Sequence, residues 1–200
     1  LGDMGGLGKG RVNAAILRWA MKEGRVPIFV TEKPGLYSDM YRDLTDIGIA
    51  KWLGRDVRIL PTDNSLSMFL DDEETVKLKS GDKSAHEKLL NELTVDDFES
   101  TYDVLFTTYS QMNTVQGGRT TERRTVLQRL MPHAIVVLDE SHNGGAAETG
   151  RVAKPKPGKA PKRSLYIREL LEEAAGVMYS SATYAKRADS MDRYRSTNLA

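Results

Sequence analysis

Four apolar residues in a row, Ile135, Val136, Val137 and Leu138, run directly into two carboxylates, Asp139 and Glu140. A strand that is apolar at every position is covered on both faces, which is the habit of parallel sheets with helices above and below. The carboxylates then emerge at the carboxyl end of that strand, the edge where open α/β sheets bind their ligands. Two solvated carboxylates after a core strand would be the plain alternative. At the other end of the chain, Asp3-Met4-Gly5-Gly6-Leu7-Gly8-Lys9-Gly10 is a glycine-rich loop ending in lysine. Gly6 and Gly8 let the backbone fold tightly around a phosphate, and Lys9 supplies a point charge. A helix starting near Arg11 would direct its N-terminal dipole at the same anion. A glycine-rich turn that binds nothing is the alternative there. Each signal is modest alone. Together they point to a nucleoside-triphosphate site, with Asp139 placed for Mg²⁺ and Glu140 for an attacking water. One position departs from that pattern: Gly10 stands where Ser or Thr would offer a hydroxyl to the metal. Metal binding must then rest on Asp139 and water, and Gly10→Ser is expected to tighten it if the loop tolerates a side chain.

The rest of the chain alternates between two periodicities, as a parallel sheet requires. Val12, Ala15, Ile16, Trp19 and Ala20 repeat at helical spacing up to Gly24, and residues 26–31 read as a buried strand. Leu36, Met40, Leu44 and Ile47 mark a second helix ending at Gly48, and residues 57–60 a short strand. Between 65 and 97 the pattern loosens around an acidic knot, Asp71-Asp72-Glu73-Glu74, with one short helix expected over 85–93; this stretch reads as an insertion. Strand signals return at 104–109 and 177–181, and helix signals at 122–130, 165–175 and 186–194. Residues 144–164 are rich in glycine, proline and lysine and read as a flexible basic loop. A phosphate loop ordinarily follows a buried strand, yet only Leu1 and Gly2 precede Asp3, so the chain is expected to be a fragment beginning just after its first core strand.

Composition narrows the class. The 200 residues carry 29 Lys+Arg against 28 Asp+Glu, so net charge alone names no partner. The absence of cysteine excludes disulfides and thiolate metal sites. No apolar run approaches the roughly 18 residues of a membrane span and no secretory signal opens the chain. A soluble, intracellular protein is the expectation, with no membrane partner. Charge is concentrated locally: Arg151, Lys154, Lys156, Lys159, Lys162, Arg163 and Arg168 occur between 150 and 168 without an acidic residue. Such a run can neutralise nucleic-acid phosphates without reading sequence, or can simply be a solvated loop.

Several of these stretches resemble known motifs. Asp139-Glu140-Ser141-His142 resembles the D-E-x-H box of superfamily 2 helicases and translocases, and Ser181-Ala182-Thr183 their S-A-T motif. The segment 103–109 and the Asp-Met-Gly-Gly-Leu-Gly-Lys beginning are similar to those of Swi/Snf-type remodellers. The nearest resemblance is to the strawberry notch family, whose loop has the form G-D-x-x-G-x-G-K-G-R, as Gly2-Asp3 through Gly10-Arg11 do here. Tyr41-Arg42-Asp43-Leu44, Asp46-Ile47-Gly48 and Tyr179-Ser180-Ser181-Ala182-Thr183 are also similar to that family.

This resemblance implies an α/β fold of the P-loop NTPase type, a RecA-like parallel sheet with helices on both faces, lacking its first strand. It implies ATP and Mg²⁺ as cofactors, nucleotide bound by Gly5, Gly6, Leu7, Gly8, Lys9, Gly10 and Arg11, metal held by Asp139, and catalysis by Lys9 and Glu140. His142, Ser181 and Thr183 would couple the nucleotide to nucleic acid, expected to be DNA, and to a second RecA-like lobe of the same parent chain. Lys154, Lys156, Lys159 and Lys162 are the candidate nucleic-acid contacts. The cytoplasm of a bacterium or phage-infected cell is the expected setting, ahead of a nucleus. A nucleotide-binding regulatory scaffold without productive hydrolysis is the rival reading.

Overall fold

The computed structural model describes residues 8–63, 82–112, 115–116, 119–141 and 163–181. Helix α1 (Lys9–Lys22) leads into strand β1 (Val26–Thr31), and α2 (Leu36–Asp46) with α3 (Ile49–Leu53) carries the chain to β2 (Ile59–Pro61). Helices α4 (Lys83–Glu92) and α5 (Val95–Thr101) precede β3 (Val104–Thr108). A small antiparallel pair, β4 (Val115–Gln116) and β5 (Arg119–Thr120), comes before α6 (Glu122–Leu130). A 3₁₀ turn, Met131–His133, then feeds β6 (Ala134–Asp139), followed by α7 (Arg163–Glu172) and β7 (Gly176–Ser180).

The main sheet has the order β2-β3-β1-β6-β7, and all its pairings are parallel. Parallel pairing puts every strand's carboxyl end on one edge. Side chains alternate between the two faces and fill two separate cores. Val26, Ile28 and Val30 of β1 and Val136 and Leu138 of β6 pack with α4, α5, α6 and α7 through Leu90, Phe98, Leu127 and Ile167. Phe29 of β1, Phe106 of β3 and Val137 of β6 pack on the opposite face with Leu17, Tyr37, Met40 and Ile49 of α1, α2 and α3. Phe106 anchors this second layer, with Phe29 edge-on at 5.3 Å and Tyr37 tilted at 5.2 Å between ring centroids. The expected architecture, a parallel α/β sheet covered on both faces, is present.

Three details differ from the sequence reading. The buried face of α1 is Asn13, Ala14, Leu17 and Ala20, whereas Val12 and Trp19 stand exposed. Ala20 falls on the buried face as expected, but that face also takes the polar Asn13 while Val12 and Trp19 turn outward, so the hydrophobic pattern placed the helix face only in part. The second strand starts at Ile59 rather than 57, because β3 offers it partners only from Val104 onward. The stretch expected to hold one short helix before β3 holds α4 and α5, and α5 begins with a capping box in which the Thr94 hydroxyl accepts from the Asp97 N–H and the Asp97 carboxylate accepts from the Thr94 N–H. The helix expected over 186–194 lies outside the described residues. Among the described residues, no helix is long and apolar enough to cross a membrane.

Candidate functional site

The carboxyl ends of β1 and β6 and the N-terminus of α1 meet at one edge of the sheet. Gly8, just before α1, has φ of 88°, a left-handed turn that glycine adopts without a Cβ penalty. The first bond of the helix runs from the Val12 N–H to the Gly8 carbonyl at 3.1 Å. The N–H groups of Lys9, Gly10 and Arg11 therefore have no intrahelical acceptor and face outward, the arrangement that receives anions. Lys9 Nζ donates to Glu140 Oε1 at 2.8 Å, joining residues 131 positions apart in sequence. Their side chains are 15% and 29% exposed, so the pair is largely withdrawn from solvent. Glu140 itself has φ of 46°, the one non-glycine with positive φ among the described residues. A left-handed glutamate costs about 1–2 kcal/mol, and strain of this kind collects at functional positions. Here the turn swings the carboxylate out of line with β6 and onto Lys9.

Asp139 ends β6 inside a cage of donors. Asn13 Nδ2 approaches Asp139 Oδ1 at 3.3 Å and the Thr31 hydroxyl approaches Oδ2 at 3.4 Å. The Tyr109 hydroxyl donates to the Asp139 backbone carbonyl at 2.9 Å, while the Tyr109 N–H donates to the Thr31 carbonyl at 3.1 Å. Tyr109 thus ties β3, β1 and β6 together at this edge. Burial, and next the neighbouring Glu140 charge, push the Asp139 carboxyl above its ordinary range; Lys9 and the hydrogen bonds from Glu140 N–H and Thr31 pull it back. A partly desolvated carboxylate beside a second one favours a cation as neighbour. In the β6–β7 register Asp139 sits opposite Ser180, and Ser181 follows at the same edge, 2% exposed.

Position 10 explains its own departure from the usual loop. A Cβ at Gly10 would lie 1.9 Å from Oδ2 of Asp43 and 2.8 Å from its Cγ, because α1 and α2 pack closely there. The space that a Ser or Thr side chain would take is filled by a carboxylate from α2. Burial raises the pKa of that carboxyl, with Arg42 and Arg11 acting against the rise and Asp46 and Asp39 adding to it. The expectation that Gly10→Ser tightens metal binding if the loop tolerates a side chain therefore turns on Asp43, whose carboxylate the serine must first displace. Arg11 turns its side chain away from the phosphate side, to Asp46 at 3.1 Å.

Of the residues singled out in the sequence, the structure brings together Lys9, Asp139 and Glu140 and places Gly8, Gly10 and Ser181 at the same edge. Gly5, Gly6, Leu7, His142, Thr183, Lys154, Lys156, Lys159 and Lys162 lie outside the described residues. Sequence reasoning missed Asn13, Thr31 and Asp43. Asn13 had a signal, an amide interrupting the apolar positions of α1, but Thr31 and Asp43 look ordinary until the strands and helices are packed.

The donor set suits magnesium better than a transition metal. Among the described residues no three His, Cys, Asp or Glu side chains gather as a metal cage. Mg²⁺ needs none, since it binds through one or two carboxylates, its own waters and substrate phosphates. Asp139 offers the carboxylate, and Asn13 Oδ1, buried on the amide that contacts it, has no hydrogen-bond partner among the described residues.

A family model described as P-loop containing NTP hydrolase pore-1 matches residues 1–197. The chain belongs to that family, and its five-stranded sheet is the α/β, RecA-like fold of a P-loop nucleotide hydrolase. No curated protein matches the chain.

Proposed function

We propose, taking membership of this P-loop hydrolase family as the premise, that the chain is the ATP-binding and hydrolysing lobe of a superfamily 2 motor that works on DNA, similar to strawberry notch proteins. The observation that carries the reading is the meeting of Lys9 and Glu140 at 2.8 Å, at an edge where the α1 N–H groups and Asp139 also converge. Lys9 and the loop from Gly5 to Arg11 bind the phosphates, Asp139 holds Mg²⁺, and Glu140 orients the attacking water. Bound there, the metal supplies charge neutralisation at the phosphoryl oxygens. Residues 1–200 form one lobe, with 65–97 as an insertion and 144–164 as a basic loop. Ser181, with His142 and Thr183, passes the nucleotide state to DNA and to a second RecA-like lobe. An intracellular setting follows from this role.

Calorimetry on Lys9→Ala tests the nucleotide half of the proposal. ATP affinity should fall by at least tenfold, about 1.4 kcal/mol, while adenosine affinity stays unchanged. Equal ATP affinity in the two proteins would remove Lys9 from the site. For the DNA half, support comes from the unbroken basic run at 150–168. Replacing Lys154, Lys156, Lys159 and Lys162 together by alanine should weaken binding to all sequences alike and flatten its salt dependence. An unchanged salt slope would make the loop a solvated connector.

A further inference from the structure

We infer that Asn13 is a positioning residue for the Asp139 carboxylate and supplies to the magnesium site, directly or through a water, the oxygen that a Ser or Thr at position 10 would otherwise give. The inference rests on the nucleotide reading above and goes beyond it by naming what replaces the absent hydroxyl.

Three observations converge on Asn13. Its side chain is 1% exposed on the inner face of α1, one turn beyond Gly10 and so on a neighbouring part of the helix surface. A carboxylate only accepts hydrogen bonds, so the amide must turn its NH₂ toward Asp139, which is the contact at 3.3 Å. Oδ1, on the same amide, is buried and accepts no hydrogen bond among the described residues. A buried amide oxygen without a donor is unfavourable and calls for an explanation. A hydrated cation beside Asp139 provides one, since magnesium binds hard oxygen ligands and keeps several waters that can donate. Packing disfavours the usual hydroxyl, because a side chain at position 10 would first have to displace the Asp43 carboxylate. The next residue on α1 that reaches Asp139 is Asn13, and it carries both the donor that a hydroxyl would give the carboxylate and the oxygen that it would give the metal.

A purely structural Asn13, tying α1 to β6, would account for the contact with Asp139 but not for the orphaned oxygen. The two roles separate under substitution. Asn13→Ala removes the oxygen and favours helix; Asn13→Asp keeps an oxygen and adds a charge next to Asp139. The probe is Mn²⁺, followed by electron paramagnetic resonance as it binds the complex of this chain with ATP, alongside calorimetry of ATP in EDTA. In Asn13→Ala, ATP affinity in EDTA should match the unsubstituted chain while the Mn²⁺ half-saturation concentration rises roughly tenfold, the usual effect of removing a group that orients a metal ligand. In Asn13→Asp the half-saturation concentration should fall below that of the unsubstituted chain. Unchanged Mn²⁺ saturation in Asn13→Ala, or a rise in both variants, overturns the inference. If Asn13→Ala does not fold by circular dichroism, the direction of the shift in Asn13→Asp decides alone. Failure of the unsubstituted chain to bind ATP, with or without the cation, overturns the nucleotide reading and this inference with it; ATP binding with unaltered metal dependence overturns this inference only.

Discussion

Glu140 joins a strained backbone to a charge that has two competing uses. Its carboxylate holds the Lys9 ammonium at 2.8 Å, and an arriving phosphate must compete for the same ammonium. A partly buried pair of this kind contributes about 1 kcal/mol, so weakening it should strengthen phosphate binding by roughly fivefold. Glu140→Gln keeps the size and the backbone of the side chain while removing its charge. It is therefore expected to bind ATP more tightly by calorimetry and to lose turnover in a phosphate-release assay. Weaker ATP binding in Glu140→Gln would show that the pair prepares Lys9 for phosphate instead of competing with it. At this scale the sequence was most legible where chemistry is local: Lys9 after glycines, and Asp139 and Glu140 after four apolar residues. It was least legible at Asn13, a polar side chain on a buried face, where the hydrophobic pattern pointed to Val12 and Trp19 instead. Conflict between local pattern and final position is expected where a residue serves a site.

Elements in this fold are fixed at the amino edge of the sheet as firmly as at the carboxyl edge. Asp103, just before β3, receives Arg55 Nη1 and Nη2 at 2.6 and 2.7 Å and the Arg58 N–H at 2.7 Å. Arg58 also donates to the Ser100 carbonyl at 2.8 Å, so the start of β2 is tied to the end of α5. Burial alone would raise the Asp103 carboxyl, yet the hydrogen bonds from Arg55 and Arg58 outweigh it and hold the pKa below the ordinary value. A carboxyl depressed in the folded state stabilises fully above its unfolded pKa of about 3.9, and that contribution is lost as pH falls through the lower folded value. Asp103→Asn should cost roughly 1–2 kcal/mol near pH 7, discounted because both arginines remain about 40% exposed. Thermal melts should show the difference between the two proteins shrinking below about pH 4. A constant difference across that range would mean that the charge on Asp103 is not what matters. Most elements were readable from periodicity, α6 to both of its ends. The exceptions have physical causes. Helix α5 is short and announced only by its Thr94–Asp97 capping box, and the β4–β5 pair only by two glycines in the intervening sequence. The start of β2 is set by its partner strand and not by its own residues.

For the molecule as a whole, sheet order decides which residues can share the carboxyl edge and which cannot. Placing β1 between β3 and β6 brings Thr31, Tyr109 and Asp139 within hydrogen-bond reach, although they are up to 108 residues apart. That order was not legible in the sequence, because strand signals name neighbours along the chain and not across the sheet. Several arginines are engaged by the scaffold. Arg11 is held at Asp46, Arg55 and Arg58 at Asp103, Arg18 at the Ile47 carbonyl, Arg123 at the Thr62 carbonyl, and Arg124 lies over the Tyr166 ring. Each supports the scaffold. A phosphoryl group in flight gains 10³ to 10⁵ in rate from an arginine supplied to it, roughly 4–7 kcal/mol of barrier. On the reading proposed here that arginine comes from a second lobe, so this chain by itself should bind ATP with Mg²⁺ but hydrolyse it only near background under single-turnover conditions. Adding the second lobe of its parent should raise the rate by orders of magnitude, and Glu140→Gln should abolish the gain. Rapid hydrolysis by this chain alone, lost in Glu140→Gln, would place the missing charge within the chain and overturn the two-lobe reading.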